Sequence, residues 1–196
     1  MNLKYLGDAL DHWKGSVFEG LQSVGVLDGL HIDAMASDAK TWRPEDWLLF
    51  ARLLRVESDQ IVNHAITLED DRELYFDEVP GNGDLFLDPD TGIKTGPVKD
   101  HRQYLLPTEL FALMKADATR VVAVYQHIRA TRTRDRIEVV LRCLRSYQER
   151  FFCASYESGT VALLFFSGKR TRITVISEYF HSLLGSHAQR RIGLWA

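Results

Sequence analysis

The sequence predicts a three-layer α/β protein in which helices cover both faces of a mixed β-sheet and an antiparallel hairpin closes the chain. Along its 196 residues, runs of strand length alternate with amphipathic helix patterns. The strands predicted at 84–88 and 120–127 each have a continuous apolar centre without alternation, which is typical of central parallel strands buried on both faces. The later runs 150–157 and 160–167 are joined by a Ser-Gly pair that favours a hairpin. We expect a single domain over residues 1–196.

The first helix is predicted over residues 7–24. Its apolar side chains recur at spacings of three and four and form one stripe, which consists of Leu10, Trp13, Val17, Leu21 and Val24. Gly15 and Gly20 each weaken a helix by up to about 1 kcal/mol. We therefore expect another element to approach the helix closely, or packing to compensate.

The same periodicities assign the remaining elements. In chain order they are a strand at 30–35, a helix that opens at Thr41 and Pro44, an exposed loop at 91–105, a helix from Pro107 to about Lys115, a helix at 133–147, the hairpin, and a helix at about 171–185. The predicted buried faces are Trp47, Leu48, Phe50, Ala51 and Leu54 in the second helix, Ile137, Val140, Leu141 and Leu144 in the helix at 133–147, and Ile173, Ile176, Phe180 and Leu184 in the last. Residues 56–68 fit a strand or a helix, and the acidic run at 69–71 indicates a solvated surface.

Composition and missing motifs disfavour several classes of protein. A net charge of −3 gives no global attraction to nucleic acid or to an anionic membrane. No apolar run approaches the roughly 18–20 residues that span a bilayer, and the first residues do not form a signal peptide, so no membrane partner is expected. Cys143 and Cys153 lack metal-ligand spacing and indicate free thiols in a reducing compartment, hence a cytoplasmic protein. The chain has no dinucleotide fingerprint, P-loop or nucleophile elbow.

Polar residues follow both apolar strands. Asp88, Pro89 and Asp90 end the first, and Tyr-Gln-His at 125–127 ends the second. In parallel neighbours, both clusters lie at the carboxyl edge of the sheet, where open α/β sheets bind ligands. Carboxylates beside an imidazole can bind a divalent metal, act as acid and base, or hold an exocyclic amine. The alternative is that the two aspartates only cap the loop and that His127 bonds to a backbone carbonyl.

Two further groups of charges are candidates. Asp8 and Lys14 lie six residues apart, point to different sides of the first helix, and on their own indicate surface charges. Seven arginines between residues 129 and 150 are offset by three carboxylates; they are Arg129, Arg132, Arg134, Arg136, Arg142, Arg145 and Arg150. Arginine binds phosphate bidentately, so this stretch is either a nucleic-acid contact or a solvated helix face.

Three segments, taken in order, share a pattern with a known family. Residues 5–14 read Tyr-Leu-Gly-Asp-Ala-Leu-Asp-His-Trp-Lys, residues 30–33 read Leu-His-Ile-Asp, and residues 85–90 read Leu-Phe-Leu-Asp-Pro-Asp. They resemble the opening Gly-Asn-x-x-Asp-x-x-Lys-His pattern, the first strand and the Asp-Pro-Pro-Tyr motif of the ribosomal RNA adenine-N6 methyltransferases of the RlmJ type. The chain looks closer still to an uncharacterised bacterial family with Gly-Asp-x-x-Asp, Asp-Pro-Asp-Asn-Gly and Tyr-Gln-His motifs.

The resemblance implies a Rossmann-like, methyltransferase-type sheet whose reversed last strand is the hairpin at 150–167. It also implies roles for individual residues. Asp88, Asp90, Gln126 and His127 would form the catalytic site, Asp33, Asp8, Lys14 and Pro89 would lie on the side of an S-adenosylmethionine cofactor, and Arg129, Arg132 and Arg134 would hold nucleic-acid phosphate.

The chain departs from the methyltransferase pattern in two places. After Asp33 it reads Ala-Met-Ala-Ser-Asp, without the glycine-rich turn that lets the backbone approach the cofactor. Asp90 replaces the second proline, and Thr91 replaces the aromatic residue that stacks on the base. An extra carboxylate suits a metal or a cationic group better than a flipped adenine.

The leading hypothesis is a nucleic-acid-directed, methyltransferase-like enzyme. The first alternative is a metal-dependent nuclease or phosphoesterase, with Asp88 and Asp90 as ligands of a divalent metal and His127 as a ligand or base. The second is a non-catalytic module that binds nucleic acid or a protein partner. Trp195 leaves room for a homodimer.

Overall fold

The computed structural model describes residues 1–62, 72–77, 79–128 and 132–195. Its strands form a large sheet of seven strands and a small sheet of two. In chain order they are β1 (His31–Asp33), β2 (Ile61–Val62), β3 (Leu85–Leu87), β4 (Gly92–Ile93), β5 (Tyr104–Leu105), β6 (Val122–His127), β7 (Phe152–Ser158), β8 (Val161–Ser167) and β9 (Ile192–Trp195). The large sheet has the order β2-β1-β3-β6-β8-β7-β9, and β4 pairs with β5.

The large sheet is mixed. Strands β2, β1, β3 and β6 run parallel to one another. Strand β8 lies antiparallel between β6 and β7, so the hairpin inserts its second strand into the sheet. Strand β9 then pairs antiparallel with β7. This arrangement confirms the predicted Rossmann-like mixed sheet with a methyltransferase-type reversed strand near its end.

Helices cover both faces of the large sheet, which confirms the three layers. They are α1 (Ala9–Ser23), α2 (Pro44–Leu54), α3 (Arg72–Asp77), α4 (Pro107–Ala116), α5 (Thr133–Arg145), α6 (Arg170–Leu184) and α7 (Ala188–Arg191). Helices α1, α2 and α6 bury their apolar side chains with Phe86 and Tyr125 in one core, which defines the α1 face. Helices α4 and α5 pack with Leu87 and Val124 in a second core, which defines the α5 face.

Helix α1 has the close neighbours that its glycines require. A Cβ atom on Gly15 would lie 2.1 Å from the carbonyl oxygen of Leu53 in α2. A Cβ atom on Gly20 would lie 2.1 Å from the hydroxyl of Tyr179 in α6. The expectation of close approach at these two positions is confirmed, and the missing side chains let both helices pack against α1.

The structure corrects several predictions of local structure. Leu48 is 55% exposed, and Leu53 takes its place in the buried stripe of α2. The segment 91–105 is an exposed loop only in its middle, because its two ends form the small sheet β4-β5, in which Ile93 and Leu105 are fully buried. Leu184 is only partly buried. In the ambiguous run 56–68, residues 56–62 contain a 3-10 turn at Ser58–Gln60 and strand β2, whereas residues 63–68 and the acidic run at 69–71 lie outside the described residues.

None of the helices described by the structure is long and apolar enough to cross a membrane.

Candidate functional site

The strand order of the large sheet reverses at β1, which makes β1 the topological switch point. The chain adds β2 on one side of β1 and then crosses to add β3 on the other side. Ligands of open α/β sheets bind in the crevice outside the carboxyl ends of the strands at such a switch point. Strand β1 ends at Asp33, Asp88 follows β3, and β6 ends at His127, so the predicted polar residues lie along one edge.

Alternation along the strands decides which side chains meet. In β6, Tyr125 points to the α1 face, and residues two apart share a face. Asp88 likewise follows Phe86 of the α1 face by two positions. A cleft of about 270 Å³ on this face is lined by Asp88, Tyr125 and His127, together with residues of the amino-terminal segment. The expectation that the two strand ends converge is confirmed for these three residues.

Gln126 does not join them. Its side chain is fully buried, and its Oε1 atom accepts a hydrogen bond from the backbone N–H of Ile93 at 2.9 Å. Its Nε2 atom donates to the carbonyl oxygens of Thr91 at 3.1 Å and His127 at 2.9 Å. Since the neighbouring residue Tyr125 takes the α1 face, Gln126 points away from the cleft. It fastens the segment after Asp90 to β6, and we withdraw the expectation that it is catalytic.

Helix α1 brings an ammonium group to Asp88. The Nζ atom of Lys14 lies 2.7 Å from Oδ2 of Asp88 and 3.0 Å from Oδ1 of Asp11. It also lies 4.2 Å from the centroid of the Tyr125 ring, within range of a cation–π interaction. Lys14 is only 4% exposed, so the expectation that it is a surface charge is wrong. Asp8 remains exposed and caps α1, because its Oδ1 atom accepts from the N–H groups of Leu10 and Asp11.

Burial and ion pairing set the protonation of this cluster. Burial alone would lower the pKa of Lys14, but the charges of Asp88 and Asp11 outweigh it, and the pKa of Lys14 is raised above its ordinary value. Burial raises the pKa of Asp11, although Lys14 opposes the change. Burial and the carboxylate of Asp88 raise the pKa of Tyr125, so its hydroxyl stays neutral. Lys14 is therefore a permanent cation at neutral pH.

The α-ammonium group of Met1 occupies the other end of the cleft. It donates hydrogen bonds to the carbonyl oxygens of Ala34 at 2.6 Å, Met35 at 2.9 Å and Asp88 at 2.7 Å. One carboxylate oxygen of Asp90 lies 3.4 Å away, and the other accepts a 2.5 Å hydrogen bond from the Ser37 hydroxyl. Asp90 therefore pairs with an ammonium group in the cleft, as Asp88 does.

Asp33 lies beside the cleft but is closed off from it. It is 1% exposed, and its Oδ1 atom accepts hydrogen bonds from the Met35 N–H at 2.7 Å and the Tyr75 hydroxyl at 2.5 Å. Met35 adopts a left-handed backbone conformation with φ 43°, which is costly for a residue with a side chain. The turn after β1 thus keeps a shape that glycine would favour, although the sequence supplies none.

Arg132 and Arg134, the two predicted phosphate-binding arginines that the structure describes, differ in their contacts. Arg129 lies outside the described residues. Arg132 is exposed at the N-cap of α5, which follows the carboxyl end of β6. Arg134 instead donates to the carbonyl oxygens of Gln189 at 2.8 Å and Ile192 at 3.4 Å, and its Nε atom lies 3.7 Å from Glu157. It fastens the segment before β9, and a role of Arg134 in holding phosphate stays a prediction.

The carboxylates give little support for a metal centre. Within the described residues no group of three or more His, Cys, Asp or Glu side chains could hold a metal ion. Asp88 and Asp90 already have the Lys14 and Met1 ammonium groups as partners. A divalent metal would have to displace both cations.

Two residues of the cluster, Asp11 and Met1, were not predicted from the sequence. Asp11 precedes Lys14 by three positions, a helix spacing that places both side chains on one side, and this signal could have identified the pair. Met1 carried no such signal, because its partners lie more than 30 positions away and are mostly backbone atoms.

No protein-family model matches the chain, and no curated protein matches it. Among solved structures, it is similar to protein LPL1258 from Legionella pneumophila str. Philadelphia 1, of family-model DUF519. The identity is 13% and the TM-score is 0.42, and the alignment covers 78% of this chain and 57% of that protein. The chain thus spans little more than half the length of LPL1258. The fold assignment rests on the strand order.

Proposed function

We propose that the chain is a methyltransferase-like enzyme whose cleft binds the amine of its substrate, with the exocyclic amine of a nucleic-acid base as the leading candidate. The position of Asp88 carries this proposal. Its Oδ2 atom accepts a hydrogen bond from Lys14 at 2.7 Å, and its carboxylate lies in the lining of the cleft. An amine N–H that enters the cleft would therefore meet a carboxylate oxygen beside the Tyr125 ring.

The charge of the cleft supports an amine rather than a phosphate. Four carboxylates line it, from Asp8, Asp11, Asp88 and Asp90, whereas Lys14 and Met1 supply two ammonium groups. Such an acidic surface repels a polyanion and attracts hydrogen-bond donors. The phosphates of a nucleic acid would have to lie outside the cleft, where the exposed Arg132 is available.

The residues fit S-adenosylmethionine only in part. The carbonyl oxygens of Ala34, Met35 and Asp88 are arranged to accept an α-ammonium group, which the methionine half of that cofactor carries, but Met1 holds them. Asp33, expected on the cofactor side, is engaged by Tyr75. We therefore assign amine binding to Asp88 and no step to the cofactor.

A methyl-transfer assay tests the proposal. Purified protein is incubated with tritiated S-adenosylmethionine and fragments of RNA or DNA, and label in the nucleic acid is counted. We expect Asp88→Asn to lower the transfer by at least tenfold while circular dichroism shows that the fold persists. Asp100→Asn, a change at a half-buried carboxylate that does not line the cleft, is the matched control. The absence of transfer to every substrate by the unmodified chain would contradict the proposal.

A second candidate is a non-catalytic binding module. It is favoured by one observation: Lys14 and Met1 already occupy acceptors of the cleft. It predicts salt-sensitive binding of nucleic acid that Arg132→Ala weakens and Asp88→Asn leaves unchanged, measured by fluorescence anisotropy with a labelled oligonucleotide.

A further inference from the structure

A further cleft, which we call the α2–β2 cleft, lies between α2 and the turn before β2, the first strand in the order of the large sheet. Its volume is about 580 Å³. Among the described residues that line it, five are apolar or aromatic, and the two others, Ser58 and Asp59, are polar. None of them lines the cleft at Asp88. Sites for small ligands typically have this size and an apolar lining with a few placed polar groups.

Two tryptophans form an aromatic wall of the α2–β2 cleft. The ring centroids of Trp42 and Trp47 lie 4.3 Å apart, and Phe50 contacts Trp42 edge-on. Trp42 is 7% exposed, and its Nε1 atom donates a 3.0 Å hydrogen bond to Oδ1 of Asp38, which fixes the orientation of its ring. Trp47 is half-buried, so part of its indole stays open to the cleft. The face of an indole attracts cations more strongly than that of other aromatic side chains.

The turn before β2 adds a carboxylate to the cleft. Asp59 is exposed in the 3-10 turn Ser58–Gln60. In this turn, the Nε2 atom of Gln60 donates to the carbonyl oxygen of Leu30 at 2.7 Å, and its Oε1 atom accepts from the backbone N–H of Glu57 at 2.9 Å. These bonds tie the turn to the residue that precedes β1. The fold therefore holds the carboxylate of Asp59 at the cleft before any ligand binds.

The charge around the α2–β2 cleft is negative. Arg43 pairs with both Glu45 at 3.2 Å and Asp46 at 3.3 Å, so these three residues together carry one excess negative charge. Asp59 contributes a second negative charge in the lining itself. The exposed Arg52 of α2 does not line the cleft. A cation is therefore attracted to this cleft and an anion is repelled from it.

We propose that the α2–β2 cleft binds a small organic cation, an amine whose aromatic or aliphatic body packs on Trp47 while its ammonium group pairs with Asp59. Cation–π attraction and a charge-assisted hydrogen bond both act on an ammonium group, and neither acts in the same way on a neutral molecule of equal shape. The exposed side chains of Pro44 and Leu48 supply apolar contacts for the rest of the ligand. This site goes beyond the proposed function, since it is built from other residues than the cleft at Asp88.

Three ligands that share an indole ring and have side chains of similar length test the proposal. Tryptamine ends in an ammonium group, tryptophol in a hydroxyl group and indole-3-acetate in a carboxylate. Titration calorimetry measures the affinity of each for the unmodified chain and for Asp59→Asn, which removes the charge and keeps the shape. Glu178→Gln, at an exposed carboxylate on α6 that does not line the cleft, is the matched control. Thermal melting confirms that each variant is folded.

We expect the unmodified chain to bind tryptamine at least tenfold more tightly than tryptophol or indole-3-acetate. Asp59→Asn should weaken the binding of tryptamine at least fivefold and leave that of tryptophol unchanged, whereas Glu178→Gln should change neither. Equal affinity for tryptamine and tryptophol, unchanged binding of tryptamine by folded Asp59→Asn, or no binding of tryptamine would overturn the inference.

Fluorine NMR locates the bound ligand. The chain has four tryptophans, which can be replaced by 5-fluorotryptophan and assigned by single Trp→Phe variants. Saturating tryptamine should shift the signals of Trp42 and Trp47 and leave those of Trp13 and Trp195, which do not line the cleft, unchanged. Shifts confined to Trp13 or Trp195 would overturn the inference. Binding of tryptamine that Asp88→Asn abolishes and Asp59→Asn leaves intact would also overturn it, while agreeing with the proposed function.

A second copy of the chain is the competing occupant of the α2–β2 cleft, because the exposed Leu48 lies at its surface. Sedimentation velocity measures the oligomeric state of the unmodified chain and of Leu48→Lys. We expect both to sediment as the same species. A dimer that Leu48→Lys converts into a monomer would assign the cleft to an interface between copies and overturn the inference.

Discussion

The Nζ atom of Lys14 lies 2.7 Å from Oδ2 of Asp88, although 74 positions separate the two residues. The pair ties the amino-terminal helix α1 to the end of the central strand β3. Asp88 is 2% exposed and Lys14 4%, so water contributes little to solvating either charge. Removing one partner from such a pair leaves a buried charge without compensation, which costs more than the pair itself contributes.

Lys14→Met should therefore destabilise the protein by about 3–5 kcal/mol, because Asp11 and Asp88 would lose their shared cation. Urea unfolding followed by circular dichroism measures the change. Lys115→Met, at an exposed position in α4, removes the same charge and should change stability by less than about 0.5 kcal/mol. Similar stabilities for the two variants would show that the buried pair is not formed.

Asp11 should make stability depend on pH on the acid side. Burial raises its pKa above the ordinary 3.8, so the folded state binds more protons than the unfolded state between these two values. The stability that Asp11 contributes is then greatest below pH 3.8 and decreases as pH rises through its folded-state pKa. The stability of the unmodified chain should fall relative to Asp11→Asn over this window, as measured by urea unfolding at several pH values. A rise over the same window contradicts the assigned direction.

Gly92→Ala should destabilise the protein by about 2 kcal/mol or more. Gly92 has φ 111°, and an added Cβ would lie 2.4 Å from the Gln126 amide, which backbone partners hold in place. Gly96→Ala is the matched control in the same segment, because its Cβ would have no atom within 4 Å. Thermal melting compares the two, and an equal effect would show that the Gln126 contacts do not restrain the segment.

The two glycines of α1 should respond differently to alanine, although each substitution favours the helix by about 1 kcal/mol. In Gly15→Ala the new Cβ meets the backbone of Leu53 and Leu54, which cannot move without displacing α2, so we expect a net loss of about 1–3 kcal/mol. In Gly20→Ala it meets the far end of the Tyr179 side chain, which can rotate. Urea unfolding should show that Gly20→Ala leaves the free energy of unfolding unchanged or increases it. A larger loss of stability in Gly20→Ala than in Gly15→Ala would contradict this packing.

Arg134→Ala should lower stability by about 1 kcal/mol, because it removes a hydrogen bond to the carbonyl oxygen of Gln189 before β9. The substitution also removes the guanidinium group that lies 3.7 Å from Glu157, a residue whose pKa is raised by burial. Arg132→Ala, two positions earlier and exposed, should leave stability unchanged and is the control. If Arg134→Ala alone reduces nucleic-acid binding without loss of stability, the structural role assigned to Arg134 is wrong.

The sequence predicts the large elements of this fold well, because burial on both faces leaves a clear pattern. The continuous apolar runs became β3 and β6, and Ile137, Val140, Leu141 and Leu144 are all buried in α5, as expected. Strand β9 was not predicted, since four residues ending beside an exposed Leu194 carry no distinct periodicity. The small sheet was missed for a similar reason: β4 and β5 have two residues each.

The site could be predicted only as far as strand geometry determines it. Asp88 and His127 follow parallel strands, so their shared edge was predictable, and alternation from Tyr125 could also have excluded Gln126. The partner of Asp88 was not predictable from local spacing, because Lys14 reaches it through the packing of α1 on the sheet. The partners of the Met1 amine are mostly backbone carbonyls, which every residue carries, so the sequence contains no signal for these contacts.

The hydrogen bonds of Gln126 restrain one side of the cleft. On the side of β4 the side-chain amide acts as an additional peptide group, so the segment after the carboxylates moves together with the central strands. The side of Met1 is packed as well, because Met1 is 5% exposed and its amine donates to three backbone carbonyls. Any widening of the cleft next to β4 should therefore require β4 and the end of β6 to move together.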